Sequence, residues 1–214
     1  RMMLQLYLYW NYFDVGCLCG NYYKCFFVVD EKTIGEKKMI DILKMFQCKK
    51  TYIGVYLNKI DHTKFVYGRI VGVDTIYFVI SMISPDGKYD GILIAQIEDI
   101  IRIEQSVCYE TKMTKLMCIA KYVESELIVD VTDVLRWGLT MAKQKKKIVS
   151  IELNHSGIMD VVGIINCIDD MVCEVSQVDE YGVGDGVSYF RLTDISQPFF
   201  YFFGLKYFFV VFFL

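Results

Sequence analysis

The chain has 214 residues, a formal net charge of −3 at pH 7 and a hydrophobic content of 54%. This length suits one or two domains. The slight excess of acid excludes the overall positive field that draws many proteins to nucleic-acid phosphates.

The eight cysteines are scattered, and none forms a CxxC pair of the kind that binds zinc or supports redox chemistry. They do not recur at repeat-equivalent positions. We therefore expect reduced thiols and a cytoplasmic location, with no metal and no cofactor. The cysteines are Cys17, Cys19, Cys25, Cys48, Cys108, Cys118, Cys167 and Cys173.

Residues 1–34 are rich in aromatic side chains but show no helical stripe and no signal-peptide pattern. Residues 35–125 contain a first module, which begins with an amphipathic helix at 35–47 and ends with a connecting helix at 106–125. Strands are predicted between these helices, near 52–58, 65–73, 76–83, 92–97 and 100–103.

A second module occupies residues 126–197 and has the same order, with a helix at 132–145 followed by strands. The two modules align without a gap, because Gly68–Ile100 matches Gly163–Ile195 at an offset of 95, with nine of 33 positions identical. The identical pairs are Gly68/Gly163, Ile70/Ile165, Asp74/Asp169, Ser81/Ser176, Gly87/Gly182, Asp90/Asp185, Gly91/Gly186, Asp99/Asp194 and Ile100/Ile195. Gly68 is therefore expected to overlie Gly163.

Short β-branched strands separated by glycine-rich turns predict a small, strongly bent and partly open barrel for each module. The expected class is α+β, mainly β. It comprises two tandem Sm-like or SH3-like small β-barrels, each preceded by a helix, with a connecting helix between them. Asp74 and Asp169 are interpreted as residues that cap tight turns between two strands.

Residues 68–80 (GRIVGVDTIYFVI) resemble the first motif of the Sm-like small barrels, especially that of the bacterial host-factor RNA chaperone, and residues 163–175 are a weaker copy. The helix-plus-barrel arrangement is also similar to uncharacterised tandem-barrel proteins of low-GC bacteria. The resemblance implies the barrel fold. Similar barrels serve as RNA binders, peptide binders or purely structural modules.

The residues indicate no catalytic centre, no cofactor site and no metal site, so we do not expect an enzyme. His62 and His155 lie in loops, and the GxGxG string at 182–186 lies in a hairpin rather than between a strand and a helix. The acidic hairpin loops lack the spacing of an EF-hand.

The predicted function is binding of a protein or peptide partner through the hairpin loops at 84–91 and 179–186. The candidate contact residues are Tyr89, Asp90, Tyr181 and Asp185. The alternative is an atypical Sm-like RNA-binding protein; DNA is not an expected partner. RNA is disfavoured because residues 95–99 and 190–194 carry acid where Sm-like RNA binders are expected to have a basic or hydrogen-bonding pair.

The aromatic tail, residues 198–214, is interpreted as a non-native terminus, and the start at Arg1 fits the same interpretation. Membrane contact is expected only if residues 199–214 are a genuine anchor, although this segment is short for a span and contains Lys206. The repeat places Pro198 opposite Ile103 in the last strand, where proline donates no hydrogen bond.

Overall fold

The computed structural model describes residues 31–59, 61, 63–122, 127, 129–179 and 181–200. The interpretations of residues 1–30 and 201–214 lie outside these residues. The first module comprises α1 (Glu31–Lys49), β1 (Tyr52–Tyr56), β2 (Val66–Val73), β3 (Tyr77–Ile83), β4 (Tyr89–Gln96) and β5 (Arg102–Glu104). After α2 (Val107–Ile119), the second comprises α3 (Val134–Gln144), β6 (Ile148–Leu153), β7 (Val161–Ile168), β8 (Val172–Val178), β9 (Gly184–Arg191) and β10 (Ile195–Phe200).

The structure confirms the repeat strand by strand, because β7, β8 and β9 have the bounds of β2, β3 and β4 shifted by 95 residues. Gly68 lies opposite Met82 and Gly163 lies opposite Gln177, which are equivalent registers. A Cβ at Gly68 would lie 2.2 Å from the Ser81 carbonyl oxygen, and one at Gly163 would lie 2.0 Å from that of Ser176. Both positions therefore require glycine because a backbone atom occupies the space of a side chain.

The conserved turns also have one geometry. Asp74 Oδ1 accepts hydrogen bonds from the backbone N–H groups of Ile76 and Tyr77, at 2.7 and 2.6 Å. Asp169 Oδ1 accepts the equivalent pair from Met171 and Val172, also at 2.7 and 2.6 Å. The interpretation of both aspartates as turn residues is confirmed.

The expectation of two separate small barrels is wrong. The strands form one open antiparallel sheet of ten strands in the order β5-β1-β2-β3-β4-β10-β6-β7-β8-β9. The modules join where β4 pairs with β10, with Leu93 opposite Phe199 and Ile92 opposite Phe200. The class is still α+β and mainly β.

The physical reason for the joined sheet lies in β4. Successive side chains of a strand point to opposite faces, and Ile92, Leu93 and Ile94 are all buried, with at most 1% exposed. Such a strand needs apolar cover on both faces and a partner along its outer edge. Helix α1 covers the face that carries Leu93, whereas the second module covers the other face and provides the edge partner, β10.

The last strand runs through Pro198, which lies opposite Ile151 of β6, after a register shift between Ile195 and Gln197. Pairing with β4 follows at Phe199 and Phe200, so β10 extends past residue 197 and forms part of the joint between the modules. The first module has no equivalent of this longer last strand, because β5 has only three residues.

Two large hydrophobic clusters lie on opposite faces of the first module. One is formed with α1 and contains Leu43, Ile70 and Phe78. The other is continuous with the core of the second module and contains the buried side of α3. Helix α3 begins after Asp133, whose side chain accepts a hydrogen bond from the Arg136 N–H at 2.9 Å, and it buries Leu139 completely. Asp74 Oδ2 also accepts the Val134 N–H at 2.9 Å, which links the first-module turn to α3.

Candidate functional site

The hairpin of the first module is only partly exposed, and its two predicted contact residues are half-buried. Tyr89 is half-buried against the hydrophobic cluster that the two modules share, and burial raises the pKa of its hydroxyl well above the ordinary value. Gly87 has φ +82°, and a Cβ there would lie 2.5 Å from the Leu116 carbonyl carbon in α2. The loop at 84–91 therefore lies directly against α2.

Asp90 follows Tyr89 in β4 and is also half-buried. Burial, with a smaller contribution from the nearby charge of Asp86, raises the pKa of Asp90 to about 6. Asp86 itself accepts hydrogen bonds from Ser84 and Lys88 within the turn. The two predicted contact residues of this hairpin therefore offer little surface to a partner, whereas Pro85, Asp86 and Lys88 at its tip are exposed.

The hairpin of the second module is exposed. Asp179 Oδ1 accepts the N–H groups of Tyr181 and Val183, at 2.9 and 2.8 Å, and so shapes the loop. Tyr181 is 79% exposed, and Asp185 is exposed as well. The structure therefore places the four predicted contact residues in two different environments. Repeat register makes Gly184, not Tyr181, the counterpart of Tyr89.

Equivalent sheet faces of the two modules differ in solvent exposure. We call this face in the first module the junction face. Each of its side chains is at most 9% exposed, because α3 and the core of the second module cover them. The junction face consists of Val71, Tyr77, Val79, Ile92 and Ile94. The counterparts in the second module, here called the open face, are Asn166, Val172, Glu174, Val187 and Tyr189.

The open face combines exposed apolar groups with an ordered polar pair. Val187 is 47% exposed and Tyr189 is 68% exposed, whereas their counterparts Ile92 and Ile94 are fully buried. The Asn166 side-chain amide donates to Glu174 Oε1 at 2.9 Å and to Ser176 Oγ at 2.7 Å. An exposed tyrosine beside oriented hydrogen-bonding groups is typical of protein interfaces.

The strand that carries Val187 and Tyr189 is also an edge. In the described part of the chain, β9 is the last strand of the sheet and pairs only with β8. Every second backbone N–H and C=O along its outer side is therefore available to another strand. Its counterpart β4 uses that edge to pair with β10.

Sequence reasoning missed the open face, although a signal was present in the repeat. Two apolar residues of the first module, Val71 and Val79, are replaced in the second module by Asn166 and Glu174. Loss of apolar character on one face of otherwise equivalent strands indicates a face that faces water. The prediction concentrated on hairpin loops and identical residues, which report the shared fold.

A second feature is a cleft of about 370 Å³ between the modules, lined by residues of both. Asp99 bridges its two sides: Oδ1 lies 2.8 Å from Lys59 Nζ, and Oδ2 lies 3.4 Å from His155 Nδ1. The hydrogen bond and the charge of Asp99 raise the pKa of the Lys59 amine. His155 has φ +53° in the loop after β6.

The cleft chemistry favours a structural tie between the modules. A lysine held in its protonated form by a carboxylate is a poor nucleophile or base. The described lining residues include no serine, threonine or cysteine that His155 could activate. Within the described residues, no group of three His, Cys, Asp or Glu side chains is placed to hold a metal ion.

No protein-family model, no curated protein and no solved structure matches the chain. Among the described residues, no helix has the length and apolar character needed to cross a membrane.

Proposed function

We propose that the protein is a non-enzymatic interaction module that binds a protein or peptide partner through the open face and the β9 edge of its second module. One observation carries the proposal. Val187 and Tyr189 are exposed at positions whose first-module counterparts are buried by contact with another module. In the first module, the equivalent strand positions thus already form the contact between the two modules of this chain.

The chemistry of the surface favours a polypeptide over RNA. An edge strand binds an extended segment by backbone hydrogen bonds, and neighbouring side chains such as Tyr189 provide selectivity. The charged groups of this surface include two acids, Glu174 on the open face and Asp185 within β9, and the basic Arg191 at the end of β9. RNA affinity depends mainly on positive charge that neutralises phosphates, and the chain carries a net charge of −3.

The test compares capture of proteins by the wild-type chain and by a Tyr189→Ser variant, immobilised at equal density. The variant should lose the captured protein and keep its thermal midpoint, because the side chain is 68% exposed. Ile119→Ser is the matched control, since Ile119 is 78% exposed on α2 in another part of the molecule. Equal capture by all three chains would contradict the proposal.

Nuclease treatment and a salt series separate the two functions. A protein partner should remain bound after nuclease treatment. If capture disappears with nuclease, and if binding to purified RNA falls steeply with salt, the RNA alternative replaces the proposal.

A further inference from the structure

We infer that the partner of the β9 edge is a second copy of this chain, whose β5 edge pairs with β9 in antiparallel orientation. The inference rests on the proposed function, because it names the occupant of the same edge. It arises from the sheet order, in which the described residues leave two edges, β5 at one end and β9 at the other.

The chain contains a template for this contact. Strands β4 and β10 form the joint between the modules. Strand β9 is the counterpart of β4, because its bounds are those of β4 shifted by 95 residues. Strand β10 is the counterpart of β5, because β10 lies next to β6 in the second module just as β5 lies next to β1 in the first. The two free edges are therefore the same two kinds of edge that the joint brings together.

The template also specifies the register. Adding 95 to the β4 residue gives its counterpart in β9, and subtracting 95 from the β10 residue gives its counterpart in or beside β5. The pair Leu93 and Phe199 then predicts Ser188 opposite Glu104, and the pair Ile92 and Phe200 predicts Val187 opposite Gln105. Glu104 and Gln105 are exposed, as is Val187, so all three are accessible to a second copy.

The edges themselves are suited to pairing. Neither β5 (RIE) nor β9 (GDGVSYFR) contains proline, so every residue in them retains its backbone donor. Strand β5 is connected to β1 by side chains as well as by backbone pairing, because Tyr56 donates to Glu104 Oε2 at 3.0 Å and the Arg102 guanidinium lies 3.8 Å from the centre of the Tyr56 ring. A preorganised edge loses less conformational entropy on pairing.

A contact between two different edges is heterologous, so each copy can bind one neighbour at β5 and another at β9. Repetition of such a contact produces a closed ring if the rotation closes and a filament if it does not. The contact between two molecules would then repeat the joint that already connects the two modules within one chain.

The experiment uses two edge variants of the full chain, with the molar mass measured by light scattering over a range of concentrations. Val187→Lys places a charge on the β9 edge, and Gln105→Pro removes a donor beside β5. The wild type should associate as concentration rises. Each variant alone should remain monomeric, and an equimolar mixture should form a dimer, because each variant retains the edge that the other lacks. Recovery in the mixture also shows that both variants are folded.

The register is tested by disulfide formation between a tagged Glu104→Cys chain and an untagged Ser188→Cys chain. Oxidation should give a mixed dimer well above the background of the wild-type cysteines, because directly opposed strand residues have the separation that a disulfide needs. Ile119→Cys in place of Ser188→Cys is the control and should give background only.

The inference is overturned if the wild type stays monomeric throughout, if the mixed variants do not dimerise, or if the double variant Glu104→Cys/Ser188→Cys links only within one chain. Loss of protein capture in Tyr189→Ser alongside a monomeric wild type would leave the proposed function intact and refute only the second copy as partner. Self-association that persists in both edge variants would also overturn the inference.

Discussion

The two modules share their strand bounds and turns but differ in what covers them. In the first, one face is covered by α1 and the junction face by α3 and the second module. In the second, the inner face joins the shared core, whereas the open face carries Asn166 and Glu174 in place of Val71 and Val79. Residues identical in both copies determine the fold. Residues that differ determine which surfaces are buried and which remain available.

The largest effect is expected from exchanging residues between the two faces. Val79→Glu puts the second-module residue at a site that is 0% exposed, and an unpaired buried carboxylate should lower the free energy of unfolding by about 4 kcal/mol or prevent folding. Glu174→Val is the matched exchange and should change it by less than about 1 kcal/mol, because the residue is only partly buried. Urea unfolding measures both.

Similar costs for these two variants would mean that the faces are equally buried, and the comparison would fail. Val79→Ile provides a control for packing alone and should cost much less than Val79→Glu, since it adds one methylene without charge.

The next effect tests what the modules share. Gly68→Ala and Gly163→Ala each place a methyl group within about 2 Å of a carbonyl oxygen, at 2.2 and 2.0 Å respectively. Each should destabilise the protein by about 3 kcal/mol, because a backbone atom cannot move aside as a flexible side chain can. Gly184→Ala, which has open space around it, is the control. A harmless Gly163→Ala would show that the second module does not have the described geometry.

The two tyrosines predicted from the sequence should now separate. Tyr89→Ala should lower the free energy of unfolding by about 2 kcal/mol, because the ring is half-buried against the hydrophobic cluster that the two modules share. Tyr181→Ala should change it by less than about 0.5 kcal/mol, since this ring is 79% exposed. Thermal unfolding of the two single variants tests this difference. Equal thermal midpoints for the two variants would mean that the Tyr89 ring is as exposed as the Tyr181 ring.

The smallest effect depends on pH. Asp90 has a pKa of about 6 in the folded protein, above its ordinary 3.8, so its ionisation opposes folding. This cost is absent below about pH 4, grows between pH 4 and 6, and is complete above that range. Asp90→Asn should therefore stabilise the protein by about 1 kcal/mol at pH 8, after allowance for partial exposure, and by nothing at pH 4.

Asp185→Asn is the matched control for this pH series, because Asp185 is the exposed repeat counterpart of Asp90. It should leave stability nearly unchanged at both pH values. A stabilising effect of Asp90→Asn that is equal at pH 4 and pH 8 would exclude the burial of the carboxylate as its cause.

Much of each module could be predicted from the sequence, and for local reasons. Turn aspartates, glycines at crowded positions and the alternation of apolar residues depend on neighbours within one hairpin. The joint between the modules depends on which edge pairs with which. Edge choice leaves no periodic signal, because backbone groups are the same in every residue. The β4–β10 pairing was therefore missed, and two separate barrels were wrongly expected.

The open face was missed for a different reason. Its residues are not identical between the two copies, so identity between the repeats does not select them. Asn166 and Glu174 become informative only when Val71 and Val79 are known to be buried. The tie of Lys59 and His155 to Asp99 likewise depends on the relative placement of the modules.

Amide hydrogen exchange, measured residue by residue on the dilute protein, tests the continuous sheet most directly. Strand β4 has a partner on both sides at Ile92 and Leu93, so the amides of both residues should be protected. Strand β9 is an edge, and alternate amides from Gly184 to Arg191 should exchange about tenfold faster or more. Equal protection of β4 and β9 at low concentration would mean that β9 is paired within its own chain, as in a closed barrel, and would contradict the account.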